Sequence, residues 1–316
     1  MLRTSDGGST WSDLTPSGID GDDSGVVASF LDESHAWVAW PHRRSDTTTT
    51  VTVFATTDRG RSWRSNRFTS TPGWDGQVQF VDPRHGWAVA VIAAGLGHDP
   101  VEVWRTRDGG RTWRPVSASS DPYFPDLPRS TPKALPPCGA TATFVDRSTG
   151  FAVGGCPNRN ELFVTHDAGR SWLRIRMFPP PPEGGGPGVP SFSSPLHGFL
   201  PVFGPQGQGV VRLYFTHDGG RSWTRARLPV EIIEAGPAFS DPRHGWFYGE
   251  GKVYTTADGG AHWSSFSTNL CLAGSNLEFV DLLHGWAFSQ DPEDPFLLRT
   301  EDGGRSWTTL PATITG

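Results

Sequence analysis

One eight-residue pattern constrains this chain more than any other feature, because it returns again and again at similar spacing. The segments are TSDGGSTW (4–11), TTDRGRSW (56–63), TRDGGRTW (106–113), THDAGRSW (165–172), THDGGRSW (216–223), TADGGAHW (256–263) and TEDGGRSW (300–307). Their tryptophans, Trp11, Trp63, Trp113, Trp172, Trp223, Trp263 and Trp307, follow one another at steps of 40 to 59 residues. A fixed period of that size is the mark of a repeat architecture, and it matches one four-stranded blade of a β-propeller.

A second motif lies between the boxes: FLDESHAW (30–37), FVDPRHGW (80–87), FVDRSTGF (144–151), FSSPLHGF (192–199), FSDPRHGW (239–246) and FVDLLHGW (279–286). Each reads as the end of one apolar strand, a tight turn rich in Asp, Pro and Gly, and the start of the next strand. Residues 77–117 show a whole unit: QVQFV, GWAVAVIA, VEVWRTR and TWRPVS as four successive strands. The expected fold is therefore all-β, a seven-bladed β-propeller in one domain spanning 1–316. It comprises a half blade at 1–14 and complete blades near 26–68, 77–117, 139–177, 189–228, 236–267 and 275–311, with a six-bladed ring as the alternative. The half blade points to two further strands, with a signal or anchor, upstream of Met1. The other explanation is a ring closed on a frayed half blade, and open edges are a liability for any sheet protein.

Composition fits this reading and excludes several functions. Glycine (39) and proline (28) are abundant, as many short strands and turns require, and the 14 tryptophans supply rigid apolar bulk. The formal net charge is −6, without a Lys/Arg run, which argues against nucleic acid. The longest apolar run, WAVAVIAAGL (87–96), is half of what a membrane helix needs and reads as a buried strand. The N-terminal MLRTSDGGST lacks the charged-then-apolar leader of a signal peptide.

The two motifs together resemble the Asp-box, or BNR, repeat, and in particular the photosystem II stability/assembly factor branch of the sialidase-like propellers. That resemblance covers nearly the whole chain and implies the propeller fold. It does not imply one activity, because sialidases, xyloglucanases, sortilin-type receptors and assembly factors all carry the box.

Read residue by residue, the box is turn hardware. In RTRDGGRTWRPV (105–116), Gly110 supplies a left-handed conformation, Asp108 accepts from turn amides, Thr106 and Thr112 bond across the hairpin mouth, and Trp113 fills the seam to the next blade. The equivalent carboxylates, Asp6, Asp58, Asp167, Asp218, Asp258 and Asp302, lie on separate blades and cannot converge on one ion. The same holds for His35, His85, His197, His244 and His284, which take a structural hydrogen-bonding role. The box arginines, Arg61, Arg111, Arg170, Arg221 and Arg305, read as a solvated face pairing with the turn carboxylates, with docking of an acidic partner as the alternative. No metal or cofactor is implied; the acidic DGDD (20–23) reads as a solvated loop.

Strand order puts both motifs on one face and the irregular loops on the other, where function usually lives. The candidate binding residues there are Arg43, Arg44, Trp74, Asp75, His98, Asp99, Tyr123, Phe124 and Arg159. Cys138 and Cys156 flank a strand–turn–strand and fall roughly opposite each other, so a disulfide and two free thiols both remain open, with Cys271 unpaired. A disulfide would point to an oxidising compartment.

The expected function is non-catalytic: an extracytoplasmic scaffold, monomeric, engaging a protein or glycan. The innermost strands carry no arginine to clamp a sialic-acid carboxylate. The alternative is a glycoside hydrolase with a loop-built site drawing on Glu278, Asp75, Tyr248 and Glu250, where Tyr248 and Glu250 share a strand face.

Overall fold

In the computed structural model each period of the repeat closes as one antiparallel sheet. The structure describes residues 1–19, 25–45, 48–70, 76–91, 100–119, 132, 134–135, 140–155, 161–176, 185–205, 209–289, 296–310 and 314–315. The chain opens on β1 (Leu2–Arg3) and β2 (Trp11–Asp13). Three four-stranded sheets follow. They are β3 (Val27–Phe30), β4 (Ala36–Ser45), β5 (Thr48–Thr56) and β6 (Arg64–Ser70); β7 (Gln77–Phe80), β8 (Gly86–Val91), β9 (Val101–Thr106) and β10 (Arg114–Ala118); and β11 (Ala140–Phe144), β12 (Gly150–Gly154), β13 (Glu161–Thr165) and β14 (Leu173–Ile175).

A five-stranded sheet comes next, because its innermost strand is split into β15 (Gly186–Pro187) and β16 (Ser191–Phe192), both paired with β17 (Gly198–Phe203), followed by β18 (Val210–Thr216) and β19 (Thr224–Arg225). Two more four-stranded sheets complete the series: β20 (Ala235–Phe239), β21 (Gly245–Gly249), β22 (Lys252–Thr256) and β23 (Ser264–Ser267), then β24 (Ser275–Phe279), β25 (Gly285–Ser289), β26 (Leu297–Thr300) and β27 (Thr308–Thr309). The last strand, β28 (Ile314–Thr315), runs parallel to β2, pairing Trp11 with Ile314. The half blade expected at 1–14 is thus a three-stranded sheet in the order β1-β2-β28. Seven successive sheets, with no α-helix among the described residues, make this a seven-bladed β-propeller fold.

The chain divides into two compact units. The first, Met1 with residues 14–180, holds the three sheets β3–β6, β7–β10 and β11–β14; the second, residues 2–13 with 181–316, holds the other four. Within each unit the sheets pack through one repeated joint. The aromatic that opens a second strand stacks on the phenylalanine that closes the next sheet's first strand: Trp37 on Phe80 (3.7 Å between ring centroids), Trp87 on Phe144 (3.9 Å) and Trp246 on Phe279 (4.0 Å). The same indoles donate to box carbonyls of that next sheet, Trp37 to Gly109, Trp87 to Ala168 and Trp246 to Gly303, each at 3.1 Å. A buried Trp N–H needs such a partner. The box tryptophan closes the joint edge-on, as Trp113 does against Phe80 at 6.0 Å, Trp172 against Phe144 at 6.0 Å and Trp307 against Phe279 at 6.0 Å.

First strands are also stitched together. Phe80 N donates to Ser29 Oγ (3.0 Å) and Phe144 N to Gln79 Oε1 (2.7 Å), while Gln79 Nε2 donates to Phe144 O (2.9 Å). These joints bury Trp37, Trp87 and Trp246 to 4% exposure or less. Phe30, the first of the motif phenylalanines, is the exception at 66% exposed.

Candidate functional site

Each box is a closed hydrogen-bond circuit. In the third, Thr106 Oγ1 donates to Asp108 Oδ1 (2.8 Å) and accepts from Gly110 N (3.0 Å), while Thr112 donates its amide to Oδ1 (2.9 Å) and its hydroxyl to Oδ2 (2.7 Å). The threonines therefore serve the aspartate itself and do not reach across the hairpin mouth. Gly110, at φ 86°, occupies the left-handed region that a side chain disfavours. Box six keeps the circuit with an imidazole, His262 Nδ1 meeting Asp258 Oδ2 at 2.7 Å. These bonds to the ionised form hold the carboxyls low: Asp58 sits at about 2, chiefly through the Ser62 hydroxyl, and Asp6 at about 2, chiefly through the Thr10 amide.

The second motif is a matching turn. Asp82 Oδ1 accepts from the amides of Arg84 (2.8 Å) and His85 (2.9 Å), and His85 Nδ1 lies 2.9 Å from Oδ2; Asp32 with His35, Asp241 with His244 and Asp281 with His284 repeat this. The two turns of a sheet are locked together by single backbone bonds, among them Gly109 N to Arg84 O, Ala168 N to Ser148 O and Gly259 N to Arg243 O. Among the described residues no three His, Cys, Asp or Glu side chains are grouped to hold a metal ion.

The box arginines are expected from the sequence to pair with turn carboxylates, and two of the five have other partners. Arg221 Nη1 donates to the Asp218 backbone carbonyl (3.4 Å), and Arg305 lies over the Phe266 ring (4.7 Å). In the first unit the uncompensated charge gathers. Arg105, Arg107, Arg114 and Arg170, with Thr112 and Val116, line an open cleft of about 370 Å³ between the β7–β10 and β11–β14 sheets.

Arg105 is its anchor. Its Nη2 donates to Arg147 O (2.9 Å) and its guanidinium lies over the Trp87 ring (5.4 Å), but its buried Nε has no hydrogen-bond partner. Burial, then the nearby charges of Arg107 and Arg170, push its pKa down to about 10. The neighbouring acids are occupied: Asp108 by its box, Asp167 by Thr165 and Ser171, and Asp82 by His85 and by Arg147 Nε (2.6 Å). Four guanidiniums around an unsatisfied N–H make a receptor for an anion with paired oxygens, such as a carboxylate.

The repeat supplies its own controls. At the joint between β20–β23 and β24–β27, the positions of Arg105, Arg107 and Arg114 carry Thr255, Ala257 and Ser264. They line an equivalent cleft with His244, His262, Phe266 and Arg305. Only one pair of adjacent periods has arginine at all four positions (105, 107, 114 and 170). That departure from the repeat average is the sequence signal for the groove, and reading the boxes as equivalent conceals it.

Trp74, Asp75, His98, Asp99, Tyr123, Phe124 and Arg159 lie outside the described residues, as do Cys138 and Cys156. Arg43 and Arg44 belong to β4, where Arg43 opposes Thr49 across the sheet. Glu250 is not on a strand face with Tyr248: β21 ends at Gly249, and Glu250 follows it in a turn at φ 50°. Tyr248 is 4% exposed. Its hydroxyl reaches Cys271 Sγ at 3.6 Å, and burial, followed by the Cys271 contact, pushes it up to about 12, the opposite of an activated nucleophile. Glu278 is exposed on β24, opposite Trp286. Cys271 is a free, exposed thiol.

The chain resembles the BNR-repeat propellers, the photosystem II assembly factor among them. The family model described as "Photosynthesis system II assembly factor YCF48" matches residues 209–314. No curated protein sequence matches the chain. Among solved structures, YCF48 bound to D1 peptide superposes with a TM-score of 0.54 at 17% identity, covering 92% of this chain and 84% of that one. YCF48 from Cyanidioschyzon merolae gives 0.53 at 17% identity, over 93% and 87%. The GH74 xyloglucanase from Xanthomonas campestris gives 0.57 at 16% identity, where 95% of this chain covers 49% of the enzyme. At these identities the likeness speaks for the fold.

Proposed function

We propose that this propeller is a non-catalytic, extracytoplasmic scaffold that binds a protein partner, and that it takes an acidic segment of that partner in the Arg105–Arg170 groove. The observation that carries this reading is the buried Nε of Arg105, left without a partner amid three further arginines whose neighbouring carboxylates are already engaged. A bound carboxylate satisfies that donor and neutralises the mutual repulsion, so the groove gains more from an anion than a solvated arginine does. The similarity to a YCF48 that holds a D1 peptide supports a peptide as the ligand class. Placement outside the cytoplasm remains part of the proposal, and fractionation of the expressed natural protein reads it directly.

Fluorescence anisotropy with a labelled deca-glutamate peptide tests the groove. Binding is expected to be saturable and to weaken at least tenfold in an Arg105→Gln/Arg170→Gln variant. The matched box changes Arg221→Gln and Arg305→Gln should leave it within twofold. Equal losses in both pairs, or no binding at low salt, would remove the groove from the function. Hydrolysis of fluorogenic glycosides, abolished by Glu278→Gln, would replace the scaffold with a glycoside hydrolase.

A further inference from the structure

The motif histidines lie on separate sheets, but one of them has a second imidazole within its own sheet. His197 sits in the turn between β16 and β17, and His217 in the box that follows β18. Their ring centroids are 5.4 Å apart, with the planes inclined at 66°. The two turns are tied together by Gly219 N donating to Leu196 O (3.0 Å), in the immediate neighbourhood of both rings.

The other periods lack this pair. The same two positions hold His35 with Thr57, His85 with Arg107, Thr149 with His166, His244 with Ala257 and His284 with Glu301. The acid of the motif changes in the same copy: Ser194 stands where Asp32, Asp82, Asp146, Asp241 and Asp281 stand elsewhere. His197 Nδ1 lies 3.0 Å from Ser194 Oγ, which also accepts the His197 amide at 3.1 Å. A neutral hydroxyl therefore fixes this ring where a carboxylate fixes the other motif imidazoles, and Nε2 is left for a ligand. His217 is exposed, and its imidazole makes no hydrogen bond among the described residues.

We propose that His197 and His217 together chelate a divalent transition ion of the nickel, copper and zinc group. Imidazole suits these ions, and copper(II) binds tightest in the series. A ligating imidazole is characteristically held through its other nitrogen, as Ser194 holds His197. Two imidazoles each about 2.1 Å from one ion, at a tetrahedral angle, have ring centroids about 5 Å apart. The observed separation of 5.4 Å meets that requirement. Two nitrogens fall short of the three protein ligands of a catalytic zinc and the four of a structural one, so water fills the remaining positions and the ion exchanges readily.

Calorimetric titration of the metal-free chain with nickel chloride, repeated with copper and magnesium chlorides, tests the site. We expect saturable one-to-one nickel binding, tighter binding of copper(II) and none of magnesium. His217→Ala should weaken nickel binding at least tenfold. His166→Ala, at the same box position but opposite Thr149, and Cys271→Ser, which removes the exposed thiol, should each leave it within twofold. His166 and His217 are both exposed, so thermal midpoints without metal should match the parent and verify folding. In NMR spectra the ring protons of His197 and His217 should broaden at lower nickel than those of the other histidines. Absence of saturable nickel binding, equal losses in His166→Ala and His217→Ala, or a loss on Cys271→Ser with none on His217→Ala would overturn the proposal.

Discussion

Asp58 shows how much a single box side chain holds. Its two oxygens accept from Thr56, the Ser62 amide and the Ser62 hydroxyl, and its pKa falls from 3.8 to about 2. Because the folded pKa lies below the unfolded one, the stability it contributes is complete above about pH 4 and is lost as pH falls toward 2. Asp6, Asp218 and Asp258 share that value, so the effects fall in one window. Thermal midpoints measured from pH 5 to pH 2 should drop steeply, and Asp58→Asn should lower the midpoint at pH 5 while flattening the drop; an unchanged profile would contradict the assignment. Gly110 makes the companion prediction. A methyl there meets only ordinary contacts, Trp37 Cδ1 at 3.5 Å and Phe80 Cζ at 3.6 Å, so the cost of Gly110→Ala comes from its φ of 86°. Urea unfolding should show a loss of about 1–2 kcal/mol.

At the scale of the element, stability resides in the joint between sheets more than in any one sheet. Trp87 is 1% exposed, stacked on Phe144 and bonded to Ala168 O. Replacing it by Phe keeps the stack but orphans the carbonyl, and should cost about 1 kcal/mol. Trp87→Ala should cost about 3–5 kcal/mol. Denaturant melts of the two variants separate the terms, and similar losses would mean that the stack contributes little. The joint was partly legible in the sequence. The period, the strand boundaries and the turn chemistry follow from Asp, Gly and Pro at fixed offsets, since local rules govern them. That Phe80 belongs against Trp37, 43 positions back in the chain, does not follow from any local rule. It emerges only when neighbouring periods are laid side by side, as does the run of arginines at 105, 107, 114 and 170. The pairing of Tyr248 with Glu250 failed for a related reason: strand alternation was extended one residue past Gly249, where the backbone turns to positive φ.

For the whole molecule, a formal charge of −6 coexists with a four-arginine groove. Net charge repels an acidic partner at long range while the groove attracts it at short range, and the Debye length of about 8 Å at physiological salt decides which is felt. Affinity for the deca-glutamate probe should therefore fall as sodium chloride rises from 50 to 300 mM, with a markedly shallower slope in Arg105→Gln/Arg170→Gln. A salt-independent affinity would mean that the probe is held elsewhere. The head-to-tail joint carries a different consequence, for how such chains change over generations. Each of the indoles Trp37, Trp87 and Trp246 meets a phenylalanine and a box carbonyl of the following period, and those partners are of one kind. Excising or duplicating one full period from Trp to Trp therefore leaves every surviving indole with its accustomed neighbour. The number of periods is free to drift in a lineage, while the offset between indole and phenylalanine is not.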